Sequence, residues 1–239
     1  MKFILDILSR VPLWAIKPEA TVSALLALRN GLKYNAEAGM WEAAKPTIHG
    51  SGPNKIAVIP IQGVLTKDGP GWYGTSYDTI SKAIEGATSN PEVKHIVLSV
   101  DSPGGEVTGL PETAALVAQA AKSKPVTALV DGMSASAAYW LTSQANSIVL
   151  TPSGEVGSIG VRMMHLDVSK MLEDIGIKVT ELYSGEFKTE WSPYKPLSED
   201  AIADMKPRLQ SVHQDFINAV QAGRGARLTQ DIQDRRIGE

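Results

Sequence analysis

The sequence predicts an α/β fold built around a largely parallel sheet, and three observations carry that prediction. From Ile56 onward, short apolar β-prone runs alternate with helical stretches, several of them ten or more residues long. Gly and Pro punctuate the joins between them. The chain of 239 residues is long enough for one substantial core.

Taken in order, Met1–Ile16 is apolar but interrupted by Asp6, Arg10 and Pro12, so it falls short of the about 20 apolar residues a bilayer span needs. It also has no clear small-residue cleavage site after a long apolar core. Phe3–Leu8 reads as a short amphipathic helix. Pro18–Lys33 reads as a second helix, with Val22, Leu25, Leu26, Leu28 and Leu32 spaced for a buried stripe. Ala43–Asn54, with Pro46, Gly50, Gly52 and Pro53, reads as a linker, so residues 1–54 form an N-terminal helical arm and residues 55–239 the main domain. In that domain, strands are expected at Ile56–Leu65, His95–Val100, Val126–Val130, Ile148–Thr151 and Val179–Tyr183, with Gly157–Met163 extended. Helices are expected at Ser76–Thr88, Leu110–Lys122, Ser136–Gln144 and Val168–Ile175. A long last helix over Ser198–Ala222 has Glu199 and Asp200 near its positive end.

Composition narrows the chemistry. A hydrophobic content of 43% and a charged content of 21% are ordinary for a soluble globular protein. A net charge of -3 gives no general reason to expect nucleic acid or an anionic membrane as partner. With no cysteine, disulfides, thiolate metal sites and cysteine nucleophiles are all excluded, which fits a reducing compartment. No His/Asp/Glu cluster has metal-ligand spacing, and no cofactor fingerprint is present.

Three loops carry unusual residues. Asp101-Ser-Pro-Gly-Gly-Glu106 follows a predicted strand, and its paired glycines let backbone approach a ligand; alone, it reads more readily as a tight strand-to-helix turn. Ser136 lies where a strand gives way to the small residues Ala137 and Ala138, a natural place for an exposed nucleophile facing the amides of a first helical turn. A serine in a turn is more often structural, and the Gly-x-Ser-x-Gly elbow is absent. Lys188, 52 positions further on, lies in Ser184–Tyr194, where a lone lysine is usually a solvated charge.

Together, an oxyanion-capable Gly pair, an exposed Ser and a later loop Lys form the parts of a Ser-Lys hydrolase. The chain here resembles the S49 peptidases, the signal peptide peptidase A family, and most closely their phage and prophage capsid-protease branch. The resemblance rests on Asp101–Gly105, Ala135–Trp140, Gly157-Ser-Ile-Gly-Val161 and Gly185–Tyr194, the last continued by Pro196-Leu-Ser-Glu199. It covers about residues 55–227. Bacterial family members often carry Gly-Gly after the nucleophile where this chain has Ala137-Ala138. Their membrane anchor has no counterpart here, which favours the soluble phage branch. Family members usually continue beyond Arg227 with another strand and helix, so a chain ending at Glu239 is expected to be a shortened form.

The resemblance implies a ClpP/crotonase-like spiral of β-β-α units and a homo-oligomeric ring in which the catalytic pair can be completed between subunits. It implies Ser136 as nucleophile and Lys188 as general base, with oxyanion or substrate contacts from Gly104, Gly105 and Ala137 and with Ser158 supporting Lys188. A free lysine, with a pKa of about 10.4, is charged at neutral pH, so this role needs desolvation to lower it. Phe187, Trp191 and Tyr194 are candidate apolar neighbours for it, and Glu186 and Glu190 would oppose the shift if they faced inward. One oxyanion donor is worth roughly 3 kcal/mol of barrier. The implied activity is a serine endopeptidase that needs no cofactor or metal and cleaves capsid or scaffold polypeptides in the host cytoplasm or procapsid. A host signal-peptide or short-peptide peptidase is the alternative. Two further readings keep the fold: an acyl-CoA enzyme using paired oxyanion amides, and a non-catalytic capsid assembly protein. The mechanistic rivals are a triad of Ser136 and His165 with Asp167 or Asp174, and Ser134 in place of Ser136. Trp72, Tyr73 and Tyr139 are candidates for lining a substrate groove, although each also suits core packing.

Overall fold

The computed structural model describes residues 13–16, 45–68 and 74–228. Among these, a six-stranded sheet runs in the order β2 (Thr47–His49), β3 (Lys55–Gln62), β4 (Val93–Ser102), β6 (Val126–Ala135) and β7 (Ser147–Leu150), with β8 (Glu155–Gly157) on the far half of β6. The β3–β4, β4–β6, β6–β7 and β6–β8 pairings are parallel, as the alternation of elements predicts. The β2–β3 pairing is antiparallel, and β2 lies within the stretch expected to be a linker. The expected helices Phe3–Leu8 and Pro18–Lys33 lie outside the described residues, as do Trp72 and Tyr73.

Strand order explains where the helices go. From β3 to β7 each new strand is added on the same side of the last, and right-handed crossovers then put every connecting helix on one face. The core lies there. Ile96, Leu98 and Val100 of β4 and Val126, Ala128 and Val130 of β6 point into it, alternating with less buried residues on the opposite face. The helix α1 (Tyr77–Ser89) is capped by Ser76, whose hydroxyl accepts from the Thr79 amide at 3.2 Å, and buries Tyr77, Ile80, Ile84 and Ala87. Pro111 opens α2 (Leu110–Ser123), which buries Leu110, Ala114, Val117 and Ala120.

The short helix α3 (Ala137–Thr142) is clamped from outside. Trp140 stacks on Phe216 of the last helix, with ring centroids 4.8 Å apart. That helix, designated α5 (Glu199–Arg224), is capped by Ser198. Its C-terminal end closes on the residues after α3: Gln144 Nε2 donates to Ala219 O at 3.0 Å and Arg224 Nε to Ser143 O at 2.8 Å. A Cβ at Gly223 would lie 2.2 Å from Ser143 O, so only glycine allows this approach. Between α3 and α5 lie β9 (Arg162–Met163) and α4 (Ser169–Asp174). No described helix is long and apolar enough to cross a membrane.

Two expectations need correction. The strand expected to stop at Val130 runs on to Ala135, because residues 133–135 gain β8 as a parallel partner. The strand expected at Val179–Tyr183 does not form. That stretch is exposed and has no neighbouring strand, and an isolated β-prone run has nothing to pair with.

Candidate active site

The site is built where β6 bends toward α3. Between Val100↔Val130 and Ser102↔Ser134 the β4–β6 register shifts, and β6 uses two more residues than β4 does. The Asp101 carboxylate fills this irregularity: its Oδ1 accepts from the Met133 amide at 3.2 Å. It lies so close to Gly132 (φ +116°) that a Cβ there would be 2.4 Å from Oδ1. Four residues after Gly132 comes Ser136, at φ +53° and ψ −121°. Only two described non-glycine residues have positive φ, Ser136 and Ser158 (φ +59°). Left-handed backbone at a non-glycine residue costs on the order of 1–3 kcal/mol and clusters at functional sites.

The strain at Ser136 is held on both sides. Its amide donates to Gly157 O at 2.7 Å, and its carbonyl accepts from Trp140 at 3.0 Å. A serine at a helix N-cap ordinarily spends its hydroxyl on the helix amides; Ser136 makes no such bond. The Ala137 amide at the first helical position donates to no backbone carbonyl among the described residues. A strand-to-helix turn with a spare serine hydroxyl is thus present without the glycine pattern that usually announces one. Ser136 is buried, not exposed as expected, and so is Ser134, which is used differently: its Oγ lies 2.8 Å from Thr142 Oγ1.

The glycine loop lies alongside. The strand β5 (Gly104–Glu106) packs on α3. Leu65 donates to Gly104 O and accepts from the Glu106 amide, at 2.9 and 2.8 Å. A Cβ at Gly105 would be 1.9 Å from Leu65 O, so glycine is obligatory there. Ser102 Oγ donates to Gly63 O at 2.6 Å and accepts from the Gly104 amide at 3.2 Å. Because Gly104 O and Glu106 N face Leu65, the Gly105 N–H and C=O face the other way. They point at β1 (Leu13–Ile16), which pairs with β5. Burial raises the Glu106 carboxyl above the usual range, partly offset by the bond it accepts from the Lys67 amide at 2.9 Å. Burial, and then Glu106, push the Tyr77 hydroxyl well up; it donates to Glu106 O at 2.6 Å. Tyr139 is part-buried against the core, and that burial raises its hydroxyl too.

The remaining expected site residues divide. Ser158 is next to Gly157 and so beside Ser136. Lys188 sits on an exposed turn, its amide bonded to Gly185 O at 3.2 Å, and its Nζ makes no hydrogen bond to Ser136 or Ser158. Phe187 beside it is 65% exposed. His165 Nε2 lies 3.1 Å from Lys195 O, and its ring meets Trp191 edge-on, so the nitrogen a triad would use is engaged elsewhere. Asp167 accepts from Ser169, which holds its carboxyl below the usual range. Sequence reasoning missed the part played by Asp101 and Gly132, although an acid and a glycine at the two ends of adjacent predicted strands were visible.

Comparison with known proteins agrees with the motifs. Residues 118–235 match the model of peptidase family S49. Capsid assembly protease C of Escherichia phage lambda is 36% identical over 72% of this chain and 40% of its own length. The head-tail preconnector protein GP5 of Enterobacteria phage P21 is 31% identical over 70% of this chain and 34% of its own. Protease 4 of Salmonella typhi is 35% identical over 69% and 27%. The chain therefore spans less than half the length of these relatives. Among solved structures, a mutant of the 1510-N membrane-bound stomatin-specific protease superposes with a TM-score of 0.38 at 16% identity, covering 69% of this chain and 61% of that one. The assignment rests on the sequence matches: residues 118–235 place the chain in peptidase family S49, and its relatives include a phage capsid assembly protease and a phage head-tail preconnector protein.

Proposed function

We propose that the protein is a serine endopeptidase in which Ser136 attacks a peptide carbonyl and Lys188 of a neighbouring copy serves as general base. The observation that carries the reading is Ser136 itself: backbone-strained at a strand-to-helix turn, with a hydroxyl that caps nothing. The neighbouring copy enters because one chain leaves Lys188 exposed on a turn flanked by exposed apolar side chains, Leu182, Tyr183 and Phe187. Packing that turn against another subunit would bury those side chains and desolvate the ammonium, which favours its neutral form. Neutral Lys188 then takes the Ser136 proton during attack and returns it to the leaving amine.

The Ala137 amide is a free donor for the oxyanion, and the Gly104 amide would join it by exchanging Ser102 Oγ for the substrate oxygen. Likeness to a capsid assembly protease supports capsid or scaffold polypeptides as substrates, cleaved in the host cytoplasm or the procapsid. The test is cleavage of an unstructured protein by wild type, Ser136→Ala, Lys188→Ala and His165→Ala, each checked for folding and oligomeric state. The first two substitutions should reduce cleavage by about 10⁴-fold or more, the scale seen when a nucleophile or its base is removed. His165→Ala should stay active, and loss there with Lys188→Ala active would move the base to His165.

A further inference from the structure

The small antiparallel sheet has the order β5–β1–β9, with β1 in the middle. On one side Trp14, Ala15 and Ile16 oppose Glu106, Gly105 and Gly104. On the other, Leu13 and Trp14 oppose Met163 and Arg162. Without β1 these flanking strands would be two edges facing each other across one strand's width, since neighbouring strands lie about 4.8 Å apart. Both edges belong to the Ser136 site. Strand β5 begins with the glycine pair and packs on α3, and β9 begins four residues after Ser158.

The Gly105 N–H and C=O are turned away from Leu65 and toward this slot. A slot lined by two strand edges holds an extended polypeptide by hydrogen bonds that do not depend on its sequence. We infer that Leu13–Ile16, lying in the slot between β5 and β9, is an intramolecular competitor that a substrate polypeptide must displace to reach Ser136. The inference rests on the peptidase reading for what the slot serves. β1 runs antiparallel to both walls, with its C-terminal residue, Ile16, at the Gly104 end. A substrate strand would run the same way. Being tethered, β1 competes at high effective concentration, and the apparent affinity for substrate falls by the fraction of molecules whose groove is free.

The experiment uses the full chain carrying Ser136→Ala, so that binding is read without turnover. Ala15→Pro removes the amide opposite Gly105, and Trp14→Pro removes the amide opposite Arg162 on the other wall. Amide hydrogen exchange at Gly105 and Arg162 is measured with and without a fluorescent peptide of the sequence of residues 11–18, whose affinity is read by anisotropy. Either proline should speed exchange at both amides, added peptide should restore protection, and the peptide should bind about tenfold tighter than to the parent, as for a groove free in about a tenth of parent molecules. Exchange unchanged by both prolines would show that β1 does not occupy the slot. Faster exchange that peptide fails to reverse would show that the slot is not a peptide groove. Should these binding results hold while wild type cleaves nothing, the peptidase reading fails and the groove stands.

Discussion

Two five-residue runs, Val126-Thr-Ala-Leu-Val130 and Val179-Thr-Glu-Leu-Tyr183, share a β-branched start and an apolar end, yet they lie in opposite surroundings. The first is flanked by β4 and β7 and buries Val126, Ala128 and Val130 under the helices. The second has no strand beside it, and Leu182 is 94% exposed. β-propensity is a statement about fitting a pleated, half-buried surface, and one chain supplies that surface in only one of the two places. The contrast extends to the chemistry, since Ser136 follows the packed run and Lys188 the unpacked one. In the proposed dyad the nucleophile would be held by its own chain, and the base would wait for a partner.

Leu98→Ala, in the strand beside the packed run, should cost about 2–5 kcal/mol in urea unfolding, because Leu98 is wholly buried. Gly105→Ala should cost about 3 kcal/mol, from the overlap its Cβ makes with Leu65 O. Leu182→Ala should stay within about 0.5 kcal/mol for the isolated chain, as exposed positions do, while weakening self-association. A stability loss as large as that of Leu98→Ala would mean the second region packs within its own chain.

The smallest effect concerns pH. Burial raises the Glu106 carboxyl in the folded state, so the fold favours its neutral form. Its contribution is fully present below the unfolded carboxyl pKa of about 4.3 and is lost as pH rises through the folded value. Glu106→Gln keeps an acceptor for the Lys67 amide and removes that titration. The urea midpoint of the variant should therefore fall less than that of wild type as pH is raised from about 4 toward neutrality.

Much of this was legible from the residues. Alternating apolar runs located β3, β4, β6 and β7. Ser76 and Ser198 marked helix starts that they do cap. Ser136 was recognisable from the small residues after it, but its strain was not, because that depends on Gly157 arriving from another strand. The bulge at Gly132 was hidden for the same reason: it needs the Asp101 carboxylate from a neighbouring strand. Thr47–His49, expected as linker, gained a strand from β3, and Val179–Tyr183, expected as a strand, lost one for want of a neighbour. Local pattern gives a segment's preference, and its partner decides the outcome.

The most direct test of the central claim is to mix Ser136→Ala with Lys188→Ala under conditions that exchange subunits, and to measure cleavage of an unstructured protein. If Ser136 of one copy works with Lys188 of the next, two inactive proteins should together recover about a quarter of the wild-type rate, from random pairing at each interface. If the mixture exchanges subunits and stays inactive, the dyad is not shared between copies, and the account of how Lys188 reaches Ser136 is wrong.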